Sequence, residues 1–369
     1  MDVATGPGRT PSATSDVESL VEGIVRGDRG SLARAITLVE SRAPRHRAAA
    51  DRLIELVLEK TGGSQRIGIT GVPGAGKSTF IDCLGMKLIA EGKRVAVLSV
   101  DPSSPISGGS ILGDKTRMER LAREPNAFIR PSPSGGELGG VARKTRETIC
   151  LCEAAGFDVV LVETVGVGQS EVLVRAMVDC FLVLTIAGAG DELQGMKKGI
   201  LELADLLIVN KADGENRKRA ELACAEFSRA LHYLDTPDGG WPVRVVVCSA
   251  RTGEGVADIW AKVQAYYEYA RGSGQLMDTR RSQNLAWMNE LVQQALRDRF
   301  ETSPAVRSNR PAIESAAEKC IQLLLTTGDG VGPELGAMPG GEDARESPNA
   351  TFVDDVIVVA FKEFHPAQF

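Results

Sequence analysis

The chain has 369 residues, of which 43% are apolar and 25% charged, with a formal net charge of −6. That balance belongs to a globular protein with a core of roughly 200 residues plus smaller accessory parts, and it gives nucleic acid no support as a partner. No apolar run approaches the roughly 18 residues of a membrane helix, which excludes a helical membrane span and leaves no membrane partner to expect.

The lead MDVATGPGRTPSATSD has no apolar h-region and does not read as a secretory signal; its Gly, Pro, Ser and Thr predict disorder over residues 1–15. Seven cysteines at irregular spacing suggest reduced thiols and a cytoplasmic location. Cys150 and Cys152 fall in a predicted helix, where i and i+2 point to nearly opposite faces, a poor geometry for a metal. His46, His232 and His365 are scattered and have no Cys or His at ligand spacing.

Residues 16–62 predict a helical extension. Ser15 followed by Glu18 has the spacing of a capping box. Val17, Leu20, Val21 and Ile24 recur at helical spacing, as do Leu32, Ala35, Ile36 and Val39, and then Leu53, Ile54, Val57 and Leu58. Thr61-Gly62-Gly63 ends this section.

From there the pattern changes to short apolar runs rich in Val and Ile: 66–70, 94–100, 157–165, 180–187, 205–211 and 243–250. Helical stretches lie between most of them. Strands buried on both faces and alternating with helices predict an α/β domain over 63–268, with a doubly wound, mainly parallel sheet. Beyond Arg271-Gly272-Ser273-Gly274 the chain turns helical again over 269–325, with Leu285, Met288, Val292, Ala295 and Leu296 forming an apolar stripe that needs a partner surface. Residues 326–369 read as a flexible tail of unassigned role, although TFVDDVIVVAFKEF (351–364) is strand-like.

The first strand runs directly into GVPGAGKST (71–79), where Gly71, Gly76, Lys77 and Ser78 satisfy the P-loop pattern. Glycines at these positions let backbone N–H groups curl around phosphates, Lys77 neutralises them, and the Ser78 hydroxyl is placed for Mg²⁺. NKAD (210–213) ends a later strand. An Asp213 carboxylate can accept from both N1–H and the N2 amine of guanine, a donor pair that adenine lacks. The Lys211 stem can lie on the base plane and Asn210 can tie this loop to the P-loop. Ser249-Ala250 follows one strand later, where GTPases offer a backbone N–H to guanine O6. The combination predicts a GTP-binding protein.

Asp101 and Glu163 lie at carboxyl ends of predicted strands, the ligand side of such a sheet, and Asp114 lies in the Gly-rich stretch GGSILGDKTRM. Carboxylates so placed are candidate Mg²⁺ ligands, and each alone reads equally well as a helix cap or turn residue. ETVGVGQSE (163–171) puts glycines where a loop moves when the γ-phosphate leaves. Gln169 is a candidate for orienting the attacking water, or a solvated loop amide.

VDPSSPISGGSILGDKTRM (100–118), RPSPSGGELGG (130–140), ETVGVGQSE and AGAGDELQGMKKGILELAD (187–205) resemble the MeaB/ArgK/MMAA family of SIMIBI-class P-loop GTPases over residues 16 to 300. The resemblance implies a homodimeric GTPase, slow alone, that gates adenosylcobalamin loading and protects or reactivates a B12-dependent acyl-CoA mutase such as methylmalonyl-CoA mutase. The adenosylcobalamin belongs to that partner. The helices of 269–325 resemble the family's dimerisation arm. Carried over residue by residue, the GTP/GDP contacts fall on Gly74, Ala75, Gly76, Lys77, Ser78, Thr79, Asn210, Lys211, Asp213, Ser249 and Ala250. The Mg²⁺ sphere falls on Ser78, Asp101, Asp114 and Glu163, and the catalytic roles on Lys77, Glu163 and Gln169. The loop IAGAGDELQGMKKG (186–199) corresponds to the family's partner switch, with Asp191, Gln194 and Lys197 as its handles. Two alternatives stay open: a nickel-insertion GTPase of the same class, although the Cys/His motif of those proteins is not visible, and an amino-acid transport accessory ATPase or kinase, against which NKAD argues.

Overall fold

The computed structural model describes residues 13–41, 43–100, 118–131, 138–164, 170–188, 198–232, 240–304 and 306–310. Three helices come first: α1 (Ala13–Val25), α2 (Arg29–Glu40) and α3 (Pro44–Val57). Helix α1 starts before Ser15, so Ser15 and Glu18 lie within it rather than capping it. The side chain that caps is Asp28, whose carboxylate accepts from Gly30 N and Ser31 N at the start of α2.

An α/β alternation follows: β1 (Gln65–Gly71), α4 (Lys77–Ala90), β2 (Val95–Val100), α5 (Glu119–Ala122), β3 (Ala127–Arg130), α6 (Leu138–Ala154), β4 (Val159–Thr164), α7 (Ser170–Arg175), β5 (Cys180–Ile186), α8 (Lys198–Glu202), β6 (Leu206–Asn210), α9 (Arg217–His232), β7 (Arg244–Val247) and α10 (Val256–Gly272). The strands form one seven-stranded sheet in the order β3-β2-β4-β1-β5-β6-β7, with every neighbouring pair parallel. Strand β3 is missing from the sequence reading. It is only four residues long, sits at the sheet edge and lacks the Val/Ile run that marks the others.

Alternate residues of each strand feed two core layers. Ile67, Ile69, Val95 and Val97 pack with α4, α5 and α10; Ala96, Leu98, Val160 and Val162 pack with α1–α3, α6, α7 and α9. This two-sided burial is why the strands read as continuous apolar runs. Cys150 and Cys152 are buried on α6. Burial pushes the Cys150 thiol up to about 12 and raises Cys152 further, so neither is poised to ionise.

Chain contacts divide the protein into two compact units, Met1–Gln293 and Gln294–Phe369. Helix α11 (Gln275–Thr302) begins in the first. There Leu285, Met288 and Val292 are each about half exposed. The strand-like segment 351–364 lies outside the described residues.

The end of the sheet away from its carboxyl edge holds a buried polar cluster. Asp205, just before β6, accepts from Phe181 N at 2.7 Å and faces Arg175 Nη1 at 3.4 Å. Burial pushes its carboxyl up to about 6 while Arg175 and the Phe181 amide pull the other way. A raised carboxyl binds a proton more tightly when folded. Its contribution is therefore full below the ordinary value of 3.8 and is lost as pH rises through about 6. That loss is roughly 3 kcal/mol, and Asp205→Asn is expected to flatten this part of the pH–stability curve. Urea unfolding at pH 4, 5, 6 and 7 checks it; a wild-type slope unchanged in the variant contradicts the assignment.

Candidate nucleotide-binding site

The site is built at the carboxyl edge of the sheet. Strand β1 ends at Gly71 and α4 begins at Lys77, so 72–76 must turn within five residues. Gly71 (φ 148°) and Gly76 (φ 87°) take conformations that L side chains rarely adopt. A Cβ at Gly71 would lie 2.1 Å from Leu184 O, and one at Gly76 would lie 2.9 Å from Asn210 Nδ2. The loop therefore runs against β5 and β6, and opens onto the N-terminus of α4, where unpaired N–H groups and the helix dipole favour an anion. Lys77 Nζ donates to Gly71 O at 2.9 Å, which holds the ammonium over the loop.

Ser78, on the first turn of α4, donates to Glu163 Oε1 at 3.1 Å. Glu163 is 7% exposed and lies at the end of β4, beside β1. Next to it Thr164 Oγ1 donates to Thr70 Oγ1 at 2.7 Å, a buried link between the two strand ends that the sequence reading did not single out. A hydroxyl and a carboxylate converging beside a cationic loop form a hard-oxygen donor set that fits Mg²⁺. Asp101, Asp114 and Gln169 lie outside the described residues, as do Asp191, Gln194 and Lys197.

The third wall comes from β6 and β7. Asn210 is buried; its Nδ2 donates to Ala75 O at 2.7 Å and its Oδ1 accepts from Ala250 N at 3.0 Å. One amide thus ties the P-loop to the loop after β7. Lys211 is the one described non-glycine residue with positive φ, at 61°. That conformation turns the chain sharply after β6 and brings Asp213 to the loop after β7, where Ser249 Oγ donates to Asp213 Oδ1 at 3.0 Å. Arg251 Nη1 stands 3.7 Å from Asp213 Oδ2. One carboxylate oxygen is thus oriented by a serine that sequence reading placed in the site; the arginine near the other, which it did not, is exposed. Gly74, Ala75, Gly76, Lys77, Ser78 and Thr79 lie along one loop and helix start, and Asn210, Lys211, Asp213, Ser249 and Ala250 lie along the adjoining pair of loops.

Comparison with known proteins adds to this geometry. Residues 32–305 match the family described as methylmalonyl Co-A mutase-associated GTPase MeaB. The GTPase ArgK of Escherichia coli is 50% identical over 279 residues, 75% of this chain and 84% of that protein. The mouse protein named methylmalonic aciduria type A homolog, mitochondrial, is 46% identical over 308 residues, 81% of this chain and 74% of that protein. The crystal structure of a LAO/AO transport system kinase superposes with a TM-score of 0.69 at 35% identity, covering 96% of this chain and all of that one. No helix among the described residues is long and apolar enough to cross a membrane. With a P-loop strand, a helix start and the NKAD loop assembled at one edge of an all-parallel sheet, and with the family match spanning most of its length, the chain is a GTPase that belongs to the MeaB family.

Proposed function

We propose that this GTPase couples its nucleotide state to a B12-dependent acyl-CoA mutase of the methylmalonyl-CoA mutase kind, acting as a chaperone that gates the mutase's adenosylcobalamin. The observation that carries the nucleotide half is the Asn210 bridge, which ties the P-loop to the loop after β7 beside NKAD. Ser78 and Glu163, with Asp101 and Asp114, would hold Mg²⁺, which supplies charge neutralisation at the β- and γ-phosphates. Lys77 bears on the phosphates, and Asp213 selects guanine. Gln169 is assigned the attacking water. Support for the partner half comes from the names of the family and of the mouse relative.

The kinase name of the solved relative offers a second reading, phosphoryl transfer from ATP. The carboxylate at Asp213 speaks against it, because adenine offers no N–H donor pair for it to accept. The half-exposed Leu285, Met288 and Val292 on α11 are assigned to self-association as a homodimer. The protein is taken to work in the cytoplasm, without nucleic acid or membrane partners.

Asp191, Gln194 and Lys197 are assigned to relaying the nucleotide state to the mutase. Alanine at any of them is expected to leave GDP affinity within about twofold and to cut mutase-stimulated GTP turnover by about 5- to 100-fold, the usual scale of coupling between sites. Calorimetry with GDP and GTPase rates with and without mutase check this. Full stimulation in all three variants would return the loop to a plain surface role.

A further inference from the structure

Two buried hydroxyls meet where β1 and β4 leave the sheet. The ladder between these strands runs from Gln65 opposite Val159 to Ile69 opposite Glu163. Thr70 and Thr164 are the next residues on each strand, and Thr164 Oγ1 donates to Thr70 Oγ1 at 2.7 Å. Both residues are fully buried. Each stands one residue from the site. Gly71, after Thr70, gives its carbonyl to Lys77 Nζ, and Glu163, before Thr164, accepts from Ser78 Oγ at 3.1 Å. Successive residues of a strand face opposite ways. Glu163 therefore lies on the α4 side of the sheet with Leu161, and Thr164 lies on the other side with Val160 and Val162.

Valine at 70 and 164 would fill the same space as threonine without burying a polar group, which costs free energy unless it is paired. Burial alone thus does not account for the two hydroxyls. What they add is direction: the branched Cβ of threonine leaves few χ1 rotamers, and the bond selects one on each strand. We propose that Thr70 and Thr164 are positioning residues for Mg²⁺. Their hydrogen bond extends the β1–β4 connection by one residue and so holds the Glu163 carboxylate, on the opposite face of the same strand, at the Ser78 hydroxyl. This rests on the reading of Ser78 and Glu163 as a Mg²⁺ site. Thr185 on β5 supplies a control. Strand β5 sets Val183 opposite Thr70 and Leu184 opposite Gly71, so Thr185 lies on the same face, two residues beyond Val183. It is fully buried too, but its hydroxyl has no hydrogen-bond partner.

The test is calorimetry on the 369-residue chain with a non-hydrolysable GTP analogue, in EDTA and in Mg²⁺, with urea unfolding of the same proteins. Thr164→Val and Thr70→Val each leave one buried hydroxyl unpaired and are expected to lower the urea midpoint. They are also expected to cut the Mg²⁺-dependent gain in affinity about tenfold or more, with affinity in EDTA within about twofold of wild type. The double valine variant removes both hydroxyls and keeps the packing. Its urea midpoint is expected to return toward that of wild type while the Mg²⁺-dependent gain stays about tenfold down, and it carries the test if a single variant fails to fold. Thr164→Ser keeps the hydroxyl and is expected to hold the gain within about threefold. Thr185→Val is expected to leave it unchanged. A wild-type gain in the double variant overturns the proposal. So does an equal loss in EDTA and in Mg²⁺, which marks a purely structural role, and so does the same loss in Thr185→Val. Wild-type protein whose affinity for the analogue does not respond to Mg²⁺ removes the underlying site reading and this inference with it, a result distinct from the others.

Discussion

Asp213→Asn is expected to lower GTP and GDP affinity at least about 100-fold and to raise affinity for xanthosine nucleotides by a similar factor. The reason is donor and acceptor matching in a fixed frame. Ser249 Oγ donates to one carboxylate oxygen at 3.0 Å, which orients the side chain, and the exposed Arg251 stands 3.7 Å from the other. An amide in that frame sets an N–H₂ against the guanine N2 amine, two donors facing each other. Xanthine carries a carbonyl at that position and restores a pair. The backbone should be untouched, because Asn210 still ties the P-loop to the loop after β7 and an amide keeps an acceptor oxygen for Ser249. Calorimetric titration with GDP and XDP decides the matter. Unchanged GDP affinity would mean that this carboxylate does not read the base.

Arg280→Ala is expected to destabilise the fold by about 3–5 kcal/mol, the scale for removing one partner of a buried ion pair. Arg280, on α11, makes a bidentate contact with Asp179, at 2.8 Å to Oδ1 and 2.7 Å to Oδ2. It also donates to Gly62 O and Ser64 O at 2.6 and 2.7 Å, just before β1. The Asp179 side chain is completely buried. It accepts in addition from Arg66 N and Tyr267 OH, both at 3.0 Å. Two neutral donors do not compensate a buried negative charge once the guanidinium is gone. Asp179→Asn in the same background should recover part of the loss, since it removes the orphaned charge. Urea unfolding of the two single variants and the double variant measures this. A loss below about 1 kcal/mol for Arg280→Ala would place the pair among surface-like contacts.

The sheet was legible because its strands are buried on both faces, and a continuous Val/Ile run survives translation into strand wherever helices flank it. Strand β3 was not, since Ala-Phe-Ile-Arg has no run to display and its pairing to β2 is a tertiary fact. The backbone of the candidate site was legible for a different reason. The P-loop and NKAD are local sequences whose backbone demands are local too: the positive φ of Gly71, Gly76 and Lys211 follows from sharp turns at strand ends. What sequence could not display were contacts between distant residues with no motif of their own. Arg251 against Asp213, Thr70 against Thr164, Asp82 against Leu121 and Arg280 against Asp179 join residues that only the fold brings together. The capping box at Ser15 misled because capping spacing recurs inside helices, and α1 begins at Ala13, before Ser15.

The measurement that bears most directly on the central claim is the steady-state rate of GTP hydrolysis by the 369-residue chain, alone and with purified methylmalonyl-CoA mutase. A rate that is slow alone and rises at least about tenfold with the mutase is the expected result, because partner-assisted completion of the site is how slow P-loop GTPases are accelerated. A rate that the mutase leaves unchanged, in a protein that binds GTP normally, would contradict a GTPase whose nucleotide state is read by that partner.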